Sequence, residues 1–213
     1  MPRTNTLVFA GDSITDAGRD RGDAASLGDG YVALIAQTVA DRGETVVNKG
    51  IGGDRAVDLA ARWDEILAAR PDVLTVYVGV NDMWRRFDND DPTSAEDFER
   101  TLEGLLRAAR DAGAGRLVLI EPFFVPVRTD QVAWLADLTP KREAVRRLAQ
   151  RFDATLVELH DAVTAAAAAE GAAVIVPDGV HPTPRGSAII ADAWLAAYSA
   201  IAPVGVGGRE VSP

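Results

Sequence analysis

Apolar positions recur along this chain in two rhythms. Short continuous runs stand at Leu7–Ala10, Thr45–Asn48, Val73–Val78, Leu117–Ile120 and Ala154–Glu158. Runs this short, rich in β-branched residues and bounded by glycine or proline, predict strands buried on both faces, as in a parallel sheet. Between them the spacing is helical. Val32, Ile35, Ala36 and Val39 mark one face over Tyr31–Ala40, and Leu59, Trp63, Ile66 and Leu67 another over Val57–Ala69, which Pro71 ends. Thr93-Ser94-Ala95-Glu96 has the form of a capping box for a helix reaching about Asp111, with Gly113 placed to stop it. Thr139-Pro140 reads as a cap followed by proline at the first position of a helix over 141–152. An alanine-rich helix ends near Gly171, and Thr183-Pro184 starts a last one over 187–201. Strands alternating with helices predict an α/β fold, a three-layer α/β/α sandwich around a five-stranded parallel sheet. Residues 1–202 read as one domain, and 203–213, which lacks periodicity, as a flexible tail.

Candidate chemistry gathers where the strands end, the edge at which open parallel sheets bind ligands. The first strand runs into Gly11-Asp12-Ser13-Ile14-Thr15-Asp16, the second into Gly50-Ile51-Gly52-Gly53-Asp54, and the third into Gly79-Val80-Asn81-Asp82. A serine directly after a strand is more often a turn or cap residue. A nucleophilic serine needs a base, a group to orient the base, and donors for the oxyanion. Of the two histidines, His160 at a strand-to-helix junction is accounted for by capping or a surface position. His181 lies between Pro177 and Pro182 with Asp178 three residues upstream, so one loop can carry base and orienter for Ser13. The Ser13 and Gly53 N–H groups and the Asn81 amide are the candidate oxyanion donors. Trp84, three residues beyond Asn81, is placed to wall an acyl pocket or to face a sugar ring.

Charge narrows the partners. The chain carries 22 basic and 32 acidic residues, a formal net charge of −10, which repels phosphate backbones and anionic lipid. Neither nucleic acid nor a membrane surface is expected as a partner. With no cysteine there is no disulfide, thiolate zinc site or cysteine nucleophile. The apolar stretch before Gly11 is too short for a secretory core, so a cytoplasmic location is expected. No Gly-x-x-x-x-Gly-Lys-Ser/Thr phosphate loop occurs, and no Gly-x-Ser-x-Gly elbow surrounds any serine.

These blocks together resemble the SGNH (GDSL) hydrolase superfamily. Its four named residues match Ser13, Gly53, Asn81 and His181, and the flanks Asn48–Gly53, Gly79–Trp84 and Val180-His181-Pro182 are similar too. With Gly28–Val32 and Asp58–Trp63, the chain is most similar to the branch of acetylxylan and xylo-oligosaccharide acetyl esterases, over about Leu7–Trp194. That resemblance implies a flavodoxin-like sheet in the order 2-1-3-4-5 and an ester hydrolase without metal or other cofactor. The catalytic residues would be Ser13, Asp178 and His181, with Ser13, Gly53 and Asn81 forming the oxyanion hole and Asp12 and Trp84 meeting substrate. The expected substrate is a small acetylated sugar, and a homo-oligomer is compatible with the sequence. Pro177 departs from the branch, which places an aromatic residue there. A lysophospholipase- or thioesterase-like hydrolase of longer acyl chains, and a non-catalytic sugar-binding domain, remain open alternatives.

Overall fold

The computed structural model describes residues 5–201. The tail expected at 203–213 lies outside them. In chain order the elements are β1 (Thr6–Gly11), α1 (Ser13–Asp16), α2 (Tyr31–Val39), β2 (Thr45–Gly50), α3 (Ala56–Ala61), α4 (Trp63–Leu67), β3 (Val73–Tyr77), α5 (Val80–Asp88), α6 (Ala95–Asp111), β4 (Arg116–Ile120), α7 (Leu135–Arg151), β5 (Thr155–Val157), α8 (His160–Glu170), α9 (Ala172–Ile175) and α10 (Pro184–Ile201). The strands form one sheet in the order β2-β1-β3-β4-β5, and every neighbouring pair is parallel. This is the flavodoxin-like order.

Central strands read as unbroken apolar runs because both of their faces are covered. Leu7 and Phe9 of β1 join Tyr31 and Ile35 of α2 and Trp194 of α10 in one core. Val8 and Ala10, pointing the other way, join Leu59 of α3, Trp63 of α4 and Leu102 and Leu106 of α6 in the second. Trp194 and Trp63 spend their indole N–H groups inside these cores, on Thr75 Oγ1 at 3.0 Å and the Leu105 carbonyl at 2.9 Å.

Three helical expectations change. The stretch 57–69 is two helices, interrupted at Arg62, whose guanidinium turns back to the loop after β2. α7 begins at Leu135, five residues before Pro140, so the proline lies inside the helix. The carbonyl that Pro140 cannot bond belongs to Ala136, which is exposed and can turn to water. The cap of α6 is Ser94 with Asp97, not the Thr93–Glu96 pair: Ser94 Oγ accepts from the Asp97 N–H at 3.0 Å. Helix α5, which carries Asn81, has no counterpart in the sequence reading.

Candidate active site

Strand order places the site. β1 has β2 on one side and β3 on the other, so the loops leaving β1 and β3 diverge and open a crevice at their carboxyl ends. Asp12 caps α1, its Oδ1 accepting the Ile14 N–H at 3.0 Å, and this turns the chain sharply at Ser13. Ser13 Oγ then lies 2.9 Å from His181 Nε2, across 168 residues of sequence. His181 Nδ1 is 2.6 Å from Asp178 Oδ2. A hydroxyl bonded to an imidazole that is itself bonded to a carboxylate is the arrangement in which the ring can take the hydroxyl proton.

The electrostatics suit that relay. Burial raises the Asp178 carboxyl, but hydrogen bonds from the His181 ring and the Val180 and His181 N–H groups outweigh it and hold the group at about 2. His181 is raised above its ordinary value, chiefly by its hydrogen bond to Asp178 and against partial burial. His160 stands at the start of α8, hydrogen-bonded through its backbone N–H to Glu121, and burial and the nearby Arg142 lower its ring to about 4.

The loop after β2 is held from three sides. Asp16 Oδ2 accepts the Gly52 N–H at 3.0 Å, Arg62 Nε reaches Asp54 Oδ2 at 2.7 Å, and Asn81 Nδ2 donates to the Asp54 carbonyl at 3.0 Å. Gly53 takes φ +91, a left-handed backbone open to glycine, and its N–H donates to no group among the described residues. Asn81 is 4% exposed in the first turn of α5, with one of its two amide protons spent on Asp54. Ser13 N–H, at the first position of α1, has no intrahelical acceptor. Three donors thus stand at the ends of β1, β2 and β3.

Asp12 and Trp84 take different places. Asp12 is 1% exposed beneath Ser13, where burial raises it to about 7, so its carboxylate supports the turn rather than facing a ligand. Trp84 packs beside the imidazole of His181, with ring centroids 5.9 Å apart. A cavity of about 330 Å³ opens next to Ser13 and His181, walled by Ala17, Gly18, Asp29 and Pro182. Sequence reading missed two arginines beside the loop after β2. A guanidinium nitrogen of Arg85 lies 3.7 Å from where a Gly53 Cβ would stand, and one of Arg21 lies 3.5 Å from the equivalent point on Gly52. Their periodicity signals nothing, because only the fold brings them to these glycines. Among the described residues no three His, Asp or Glu side chains are placed to share a metal ion, and no helix is long and apolar enough to cross a membrane.

The family model for the GDSL-like lipase/acylhydrolase family matches residues 9–189. The chain is 32% identical over 202 residues to an acetylxylan esterase of Geobacillus stearothermophilus, covering 89% of this chain and 91% of that protein. The crystal structure of that bacterium's acetylxylan esterase superposes with a TM-score of 0.83 at 30% identity, covering 91% and 93% of the two chains. An α/β hydrolase from the metagenome of Lake Arreo, Spain, gives a TM-score of 0.84 at 34% identity, covering 92% and 95%. The chain therefore belongs to the GDSL-like lipase/acylhydrolase family and is a carboxylic ester hydrolase.

Proposed function

We propose that this enzyme is a serine esterase that removes acetyl groups from carbohydrates, with acetylated xylo-oligosaccharides as substrate, through an acyl-enzyme. The observation that carries the reading is the unbroken Ser13–His181–Asp178 chain, with the Gly53 N–H and the Asn81 amide beside it. His181 Nε2 takes the Ser13 proton as Oγ bonds to the ester carbonyl carbon. The carbonyl π pair moves onto oxygen, where the Ser13, Gly53 and Asn81 donors stabilise it. As that pair returns, the bond to the sugar oxygen breaks and His181 delivers its proton to the departing hydroxyl. Water, deprotonated by the same imidazole, then attacks the acetyl-serine, and acetate leaves as Ser13 recovers its proton.

The sugar and the short acyl group rest on two supports. The protein from Geobacillus stearothermophilus, similar over nine-tenths of the chain, is an acetylxylan esterase. The cavity beside Ser13 holds about 330 Å³, at the low end of the range for small-molecule sites, with Ala17 and Pro182 in its wall. A panel of acetyl, butyryl and octanoyl aryl esters, run beside acetylated xylo-oligosaccharides, tests this. kcat/KM is expected to fall steeply with acyl length, each added methylene against a closed wall costing on the order of 1–3 kcal/mol. A preference for octanoyl over acetyl esters would overturn the acetyl assignment and leave the Ser13 chemistry standing.

A further inference from the structure

One turn of α5 beyond Trp84, three aromatic rings stack outward from the core. Phe124, 1% exposed, lies 5.4 Å from Trp134 at 16°, and Trp134 lies 4.7 Å from Phe87 at 7°. Phe87, the outermost ring, is 37% exposed. Residues three apart on a helix share a face, so Phe87 stands on the face of α5 that carries Trp84, the ring beside His181. A ring fixed by stacking loses little freedom when something covers its free face.

Phe87 also walls a surface cavity of about 430 Å³ between α5, the start of α6 and α7. Its charged groups are Arg86, Asp137 and Lys141, and Ser94 is the other polar side chain of the lining. Asp137 accepts from both cations, Arg86 at 3.0 Å and Lys141 in a closer pair. Lys141 is 1% exposed, and both of its hydrogen bonds go to Asp137, one to the carboxylate and one, at 3.5 Å, to the carbonyl. An ammonium has three protons to donate, so one is left over among the described residues. Asp97, which accepts from the lining residue Ser94, is also held by Arg100. The cavity thus carries two cations against one anion, on a protein whose net charge is −10.

We propose that this cavity is a saccharide subsite that takes an acidic sugar, a uronate unit, of the oligosaccharide whose ester is cleaved at Ser13. The proposal rests on the carbohydrate reading above. The sugar ring lies on Phe87, where its C–H bonds meet the negative face of the aromatic ring. Its carboxylate takes the spare donors of Arg86 and Lys141, and its hydroxyls reach Asp137. The subsite binds and positions substrate, and it takes no part in the bond changes.

The test compares acetylated xylo-oligosaccharides with and without a glucuronate branch, and a p-nitrophenyl acetate control, across wild type, Arg86→Ala, Phe87→Ala and Phe87→Trp. Wild type is expected to show the lower KM on the branched substrate. Arg86→Ala should raise that KM about tenfold or more, as loss of a charge-assisted hydrogen bond does, and Phe87→Ala should raise it by removing the aromatic face, while kcat/KM for the aryl acetate is unchanged. Phe87→Trp, which keeps an aromatic face, should restore most of the effect. Equal KM values for the two oligosaccharides in wild type, or a change in subunit assembly on Phe87→Ala without a change in KM, would overturn the subsite. If wild type cleaves aryl acetate but neither oligosaccharide, the carbohydrate reading itself fails, and the subsite with it.

Discussion

Asp178 grips His181 at two points. Its Oδ2 meets the ring Nδ1 at 2.6 Å, and its Oδ1 accepts the His181 backbone N–H at 2.7 Å and that of Val180 at 2.9 Å. Both contacts come from one tight turn, in which Gly179 takes φ +90 and a Cβ there would stand 2.3 Å from the Val125 carbonyl oxygen. A three-residue spacing is what allows one carboxylate to orient both the backbone and the side chain of the same histidine.

Ser13→Ala removes only the hydroxyl that bonds His181. Hydrolysis of aryl acetate is expected to fall by at least about 10³-fold, with circular dichroism and the melting temperature nearly unchanged. Labelling by a fluorophosphonate should vanish together with the activity. A folded variant with wild-type turnover would remove Ser13 from the chemistry.

The Asp178–His181 pair sets opposite pH demands on activity and stability. As a base, His181 must be neutral, and its pKa lies above the ordinary 6.5, so activity is expected to be half-maximal above pH 6.5. The sign for stability runs the other way. A raised His181 contributes fully below 6.5 and less as pH rises through its folded value, whereas the lowered Asp178 contributes above 3.8 and less as pH falls towards about 2. Asp178→Asn should therefore lower the melting temperature more at pH 5 than at pH 9. It should also cut kcat by roughly 10²- to 10⁴-fold and draw the acid limb of the rate profile downwards. An unmoved limb would separate Asp178 from the titration of the base.

Asn81→Ala is expected to lower kcat by roughly 10²- to 10³-fold with little change in KM, the signature of a donor that acts on the developing oxyanion. Steady-state kinetics on aryl acetate decide it. A change confined to KM would make Asn81 a ground-state binding group, with its bond to the Asp54 carbonyl its main structural role.

Asp12→Asn should stabilise the fold at pH 8. The Asp12 carboxyl is buried, with Oδ2 free of any hydrogen bond, and its pKa is pushed up to about 7. The folded chain therefore holds this proton between 3.8 and about 7 while the unfolded chain releases it, and stability falls over that interval as pH rises. The amide removes this loss, so the variant's advantage in melting temperature should appear at pH 8 and shrink at pH 4. His181, which the Asp12 charge helps to raise, should titrate lower in the variant.

Local pattern alone determined much of this protein. Each strand shows in a handful of consecutive residues, because a strand covered on both faces is largely apolar, as Leu7–Ala10 of β1 and, but for Thr75, β3 are. The Asp178–His181 turn is equally local, since three residues span the whole contact. Gly-Asp-Ser after the first strand marked Ser13 for the same reason. Tertiary structure decided what depends on distant partners. Arg62 breaks a helix to reach Asp54 and the Gly11 carbonyl, which lie 8 and 51 residues away. Pro140 is tolerated inside α7 because Ala136, whose carbonyl it leaves without a donor, is an exposed residue, a fact of burial that no propensity records. Asp12 stands beside the nucleophile in sequence yet lies beneath it in space, because the cap of α1 turns its carboxylate inward. Arg85 comes to Gly53, and Phe87 to Trp134, through the packing of α5 against its neighbours, and such approaches leave no periodic trace in the chain.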